Sequence, residues 1–166
     1  MKQTKRVAVG GMMCALAFGL NLIEMTIPLD IAIPGIKLGL ANIVVLVALF
    51  RLSAADAIVI NVIRVLLVGC MFGNLTSIAF ALAGAVCSFV IMYVLKNTGM
   101  HIVTISISGA LAHIAGQLLV GLILYPPKVI LYYSLFLMTA ALVTGALLGI
   151  VAEGVIHAIR KNDTYN

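Results

Sequence analysis

Few side chains in this chain could do chemistry, and Arg64 is the most demanding of them. It stands in the run 54–72, which is otherwise long and apolar enough to cross a lipid bilayer. An ionisable group at that depth costs about 2.5–3.5 kcal/mol on insertion scales and marks a functional site by default. Asn61 lies three residues earlier, on the same helical face. Other polar residues fall at a similar depth on other runs: Glu24 with Asn21, then Asn42, then a stripe of Ser106, Gly109, His113 and Gln117 at helical spacing. Hydrocarbon satisfies none of these groups, so they must face one another or a cavity. A guanidinium is a planar fork matched to carboxylate or phosphate, and amides beside it fix orientation. The chemistry expected is recognition of an anionic or strongly polar small molecule. Asn42, Asn61, Arg64, His113, Gln117 and Glu24 are the candidate substrate-binding residues. The competing reading is an internal hydrogen-bond network in which Arg64 pairs with Glu24. The two are compatible, because Glu24 can stand in for a ligand while the pocket is empty.

Catalysis finds little support. The aspartates, Asp30, Asp56 and Asp163, have no acidic neighbours, whereas metal-dependent diphosphate chemistry needs clustered carboxylates. No nucleotide-binding loop, zinc spacing or nucleophile elbow is present. No catalytic residue, metal ligand or bound cofactor is therefore assigned, and any use of ATP would fall to another subunit. Cys14, Cys70 and Cys87 sit in apolar runs and read as small core residues rather than a disulfide framework. Glu153 and His157, at i and i+4, are expected to pair with each other at a helix end.

The elements that must position these groups are apolar helices. The 166 residues are 64% hydrophobic and 9% charged, which excludes an ordinary soluble domain. The net charge of +5 comes from residues at the ends of apolar segments. That pattern fits membrane topology and a lipid environment rather than nucleic acid. Six spans are expected, at about 7–27, 38–50, 54–72, 75–95, 105–125 and 129–158, forming one all-α transmembrane domain over 1–166. The second is short, a sign of a helix that lines a cavity. Met1–Arg6 before an apolar stretch resembles a signal peptide, but further spans follow rather than a polar domain. With both termini cytoplasmic, Lys2, Lys5, Arg6, Arg51, Lys96, Arg160 and Lys161 lie inside, against Lys37 and Lys128 outside. The longest outer connection is then Glu24–Lys37, with Pro28 and Pro34 as stiffeners and Gly35 as hinge of a lid.

Small residues recur every four positions at Gly11, Ala15 and Gly19, and again at Ala141, Gly145 and Gly149. Ala81, Gly84, Ala85 and Ser88 extend the pattern. Such rows let helix backbones approach closely, either within one bundle or against another membrane protein. The first row is the better candidate for docking a partner.

Three segments carry a resemblance: Ile33-Pro-Gly-Ile-Lys-Leu-Gly-Leu-Ala-Asn-Ile43, Arg64-Val-Leu-Leu with Phe72-Gly73, and Ser108-Gly-Ala-Leu-Ala-His113-Ile-Ala-Gly-Gln117-Leu. Together they resemble the small bacterial membrane family called Gx transporter, also labelled heptaprenyl diphosphate synthase component I. Ile114 stands where the family is expected to favour Asn. That family looks like the substrate-binding (S) components of energy-coupling factor transporters. The resemblance implies an S-component-like bundle of six helices with both termini cytoplasmic, a ligand site toward the outer face and a lid from the first long outer loop. It also implies docking of a transmembrane coupling protein, driven by an ATPase pair, on the first helix at Gly11, Ala15 and Gly19.

The expected function is capture of a small vitamin, cofactor or isoprenoid- or quinone-related precursor at the outer face of the bacterial cytoplasmic membrane. One alternative is a non-catalytic membrane subunit that supports the catalytic subunit of a prenyl diphosphate synthase. Another is a stand-alone proton-coupled carrier using His113 and Glu24.

Overall fold

A computed structural model of the chain describes residues 3–26 and 39–163. Pro28, Pro34 and Gly35 lie outside the described residues. Those residues form six helices and no strand: α1 Gln3–Thr26, α2 Leu40–Arg51, α3 Ala54–Phe72, α4 Leu75–Asn97, α5 Ile102–Leu124 and α6 Pro127–Asp163. All but α2 are long and apolar enough to cross a membrane. The exterior is apolar too: Leu75, Ile123 and Leu131 are 84%, 83% and 76% exposed. A surface of this kind belongs in lipid rather than water.

Local chemistry sets the breaks between helices. Ser53 caps α3 by accepting from the Asp56 amide at 3.1 Å, and the Asp56 carboxylate accepts from the Ser53 amide in return. Asn74 and Ser77 form the same reciprocal box at the start of α4. A two-residue joint between α3 and α4 turns the chain back on itself. Gly39, with φ of 72°, starts α2 in a left-handed conformation that suits glycine. The helix therefore begins at Leu40, two residues later than the apolar run suggests. At the far end α6 runs on past residue 158 through Arg160 and Lys161, whose charges complement the C-terminal end of a helix.

Only α2 is buried on nearly every side: Ala41 and Val44 to Leu49 are all buried. At 12 residues it spans about 18 Å, too short to cross hydrocarbon alone. It fits instead as the central post of the bundle, touching α1, α3 and α6. Around it Val45, Leu49, Ile60, Met92, Ile105 and Ala152 form one apolar core drawn from α2 to α6.

Most of the basic residues gather at one end of the bundle. There Arg6 of α1 reaches Asp56 of α3 at 2.8 Å and donates to Ser53 at 2.7 Å. Lys96 at the end of α4 donates to the Leu49 carbonyl of α2 at 2.5 Å and lies over the Phe50 ring. Glu153, expected to pair with His157, reaches across to the N-terminal end of α5, where its carboxylate lies 3.9 Å from the capping residue His101.

Glycines bring α4, α5 and α6 into backbone contact. A Cβ on Gly116 would lie 2.6 Å from the Ala83 carbonyl oxygen. Cβ atoms on Gly145 and Gly149 would lie 2.9 Å from the Cα atoms of Ile107 and Val103. The row on α6 is therefore consumed by packing against α5. On α1 the opposite holds, because a Cβ on Gly11 or Gly19 would meet nothing within 4 Å among the described residues.

Candidate functional site

Away from the basic end, the helices separate around a cavity of about 240 Å³. That is room for a small molecule rather than a single water. Every described helix contributes to its wall: Glu24 and Asn21 from α1, Asn42 from α2, Arg64 from α3, Ser88 and Met92 from α4, Ser106, His113 and Gln117 from α5, and Thr144 and Leu148 from α6.

Arg64 is 5% exposed and is the charged centre of the wall. Its Nε donates to Asn61 Oδ1 at 3.0 Å and its Nη2 to Asn42 Oδ1 at 2.7 Å. Asn61 in turn donates through Nδ2 to the Ala85 carbonyl of α4 at 3.0 Å. The guanidinium is thus held by two neutral amides that are themselves anchored, one on the central post and one bridging α3 to α4. This arrangement fixes the fork in space without cancelling its charge. Two of the five N–H groups of an arginine are used this way; the others have no partner among the described residues.

Asn61, grouped with the binding residues on sequence spacing, lies behind Arg64 rather than on the cavity wall, and is 1% exposed. It links Arg64 to the Ala85 carbonyl. Glu24 also departs from its expected geometry. Its carboxylate accepts from the Gly39 amide at 2.5 Å, tying the end of α1 to the start of α2. It acts on Arg64 as a nearby charge rather than as a hydrogen-bonded partner. The cavity wall therefore carries a cation with unused donors and, near it, a carboxylate bonded elsewhere.

His113 and Gln117 stand one turn apart on the cavity side of α5. The imidazole packs onto Gly84 of α4, where a Cβ would lie 2.8 Å from Nε2. Gly84 thus makes the space that His113 occupies. Among the described residues no three His, Cys, Asp or Glu side chains gather in a way that could hold a metal ion. Cys14, Cys70 and Cys87 are free thiols.

Sequence reasoning left Ser88 among the packing residues and Thr144 unremarked, yet both line the cavity. A serine in a row of small residues carries no signal of its own. What distinguishes Ser88 is three-dimensional: it is 1% exposed and its hydroxyl has no hydrogen-bond partner among the described residues.

The family model described as heptaprenyl diphosphate synthase component I matches residues 13–155. The matched stretch runs from near the middle of α1 into the last quarter of α6. No curated protein and no solved structure matches the chain.

Proposed function

The chain belongs to the heptaprenyl diphosphate synthase component I family, and on that premise we propose that it is the substrate-capturing membrane component of an importer. In this reading it resembles the S-components of energy-coupling factor transporters. All six helices lie in the bacterial cytoplasmic membrane as one domain, with both termini in the cytoplasm. The basic end then faces inward, as the positive-inside rule requires, and the cavity opens outward. An anionic vitamin, cofactor precursor, or isoprenoid- or quinone-related precursor enters from outside. Arg64 takes its charge, while Asn42, Gln117, His113 and Glu24 orient it and Asn61 holds Arg64 in place. The segment between Glu24 and Lys37, with Pro28, Pro34 and Gly35, acts as lid. The chain needs no cofactor or catalytic residue of its own; partner ATPases consume ATP. A coupling protein docks on Gly11, Ala15 and Gly19.

The observation that carries this reading is the buried Arg64 cation, held by neutral amides with donors left for an anion. A purely structural arginine would be expected to hydrogen-bond a carboxylate; Glu24 acts on Arg64 as a nearby charge and accepts from the Gly39 amide instead. The unfilled row on α1 supports the docking role, since glycine at Gly11 and Gly19 serves no close approach among the described residues.

A second reading is favoured by the family description itself: a non-catalytic subunit that holds a prenyl diphosphate synthase subunit at the membrane. Affinity purification of the tagged chain from its native membrane in mild detergent, followed by mass spectrometry, separates the two. Recovery of a transmembrane coupling protein with two ATPases is the expected result. Recovery of a prenyl synthase subunit without them would replace the importer reading with the second one.

A further inference from the structure

The cavity has a second polar anchor, on the opposite side of its apolar middle from Arg64. Several hydroxyls on α6 fold back on their own backbone. Ser134 donates to the Leu131 carbonyl at 2.8 Å, Thr139 to Phe136 at 2.8 Å and Thr144 to Ala140 at 3.0 Å. This is the usual way a serine or threonine is satisfied inside a helix. Ser88 makes no such bond. It is 1% exposed, lines the cavity, and its Oγ has no partner among the described residues. Leaving a buried hydroxyl unbonded is unfavourable, so the position calls for a partner that arrives with the ligand.

The hydroxyl sits against the cavity wall at a point where α4 and α5 pack closely. Gly109 on α5 faces it, and a Cβ there would lie 3.3 Å from Ser88 Oγ and 2.6 Å from Met92 Cγ. The level of Ser88 relative to Arg64 follows from the Asn61–Ala85 bond, which places those two residues side by side on α3 and α4. Arg64 lies three residues beyond Asn61, and Ser88 three residues beyond Ala85 on a helix running the other way. Their backbones are therefore about 9 Å apart along the bundle. Apolar side chains of Leu46, Val65 and Met92 share the cavity wall with them.

From this juxtaposition we infer that the cavity selects a hydroxylated or carbonyl-bearing organic monoanion. Its acid group meets Arg64, its apolar body fills the middle, and its second oxygen exchanges a hydrogen bond with Ser88 Oγ. The inference rests on the ligand-capture reading and names the class of substrate for it. Ser88 is then a specificity-determining residue: Arg64 selects for charge, and Ser88 for what the molecule carries at its other end.

The test uses the full chain, purified in detergent, and two matched pairs of acids that differ by one hydroxyl: 4-hydroxybenzoate with benzoate, and 6-hydroxyhexanoate with hexanoate. One pair is rigid and the other flexible. Binding is measured by isothermal calorimetry on wild type, Ser88→Ala and Arg64→Ala. The expected result is that the hydroxy acid of at least one pair binds wild type about tenfold tighter than its partner, the order of one buried hydrogen bond. Ser88→Ala removes that preference and leaves the unhydroxylated acid unaffected, while Arg64→Ala abolishes binding of both. Equal binding within both pairs, or equal weakening of both acids by Ser88→Ala, overturns the role of Ser88 and leaves anion capture intact. Binding that survives Arg64→Ala overturns the capture reading itself. If none of the four acids binds wild type at millimolar concentration, the monoanion class is wrong. Ser88→Ala removes a hydroxyl that has no partner in the fold, so its melting temperature should equal or exceed that of wild type. Should it fail to fold, Ser88→Cys keeps the volume with a much weaker donor and answers the same question.

Discussion

Toward the basic end of the bundle Val45, Leu49, Ile60 and Ile105 belong to one apolar core, each 2% exposed or less. A turn or more away, the same helices direct Asn42, Arg64, Ser88 and His113 into an open cavity. Helices α2, α3, α4 and α5 each serve both regions, so neither region can shift independently of the other. The packed end gives the rigidity that holds a guanidinium fork on two amides, and the cavity end uses it. The difference shows where free energy goes in a small membrane bundle. In the packed region the apolar side chains are buried against one another. In the cavity, Arg64 and Ser88 keep hydrogen-bonding capacity that no described residue takes up.

This contrast predicts that substitutions in the packed region act on folding and those in the cavity act on binding. The largest expected effect is at Gly116. Gly116→Leu drives a side chain into the Ala83 backbone, which cannot move aside as a side chain can; folded protein should be lost from size-exclusion profiles in detergent. Leu49→Ala, at a fully buried position, should lower stability by about 2–5 kcal/mol, read as a fall in melting temperature. The affinity of whatever protein remains folded should be unchanged. Arg64→Ala should invert that pattern, with binding of anionic small molecules weakened at least about a hundredfold, or roughly 3 kcal/mol, and a smaller change in melting temperature. A larger loss of stability than for Leu49→Ala would show that Arg64 is there to hold the fold. The smallest effect is expected at Gly11. Gly11→Ala meets no atom within 4 Å and should leave stability within about 0.5 kcal/mol of wild type. Gly149→Ala, whose Cβ would meet the α5 backbone, should destabilise measurably. If both are neutral, the two small-residue rows do not differ as described.

The helices were legible in the sequence because hydrocarbon allows little else: an apolar run of sufficient length marks α3 at 54–72, the residues it occupies. Helix ends were less so. α5 begins at Ile102 rather than near 105, because Thr104 is polar without being a helix stop. Which helices pack together could not be read, since α1 and α6 carry similar small-residue rows and only the three-dimensional neighbours tell a filled row from an open one. Within the site, Arg64 and Asn61 stood out through i, i+3 spacing, and Asn42 through shared depth. That Asn61 would lie behind the cation, and Glu24 on the Gly39 amide, depends on side-chain directions that spacing does not encode. Ser88 was hidden because a serine among alanines and glycines reads as packing until its hydroxyl is found without a partner.

The central claim is that Arg64 anchors an anionic small molecule. Native mass spectrometry of wild type and Arg64→Ala, each purified from its own membrane in mild detergent, tests it most directly. The account predicts an anionic small molecule retained by folded wild type and missing from equally folded Arg64→Ala. The same molecule retained by both proteins would contradict it, as would a folded wild type that carries none even after incubation with an extract of small metabolites.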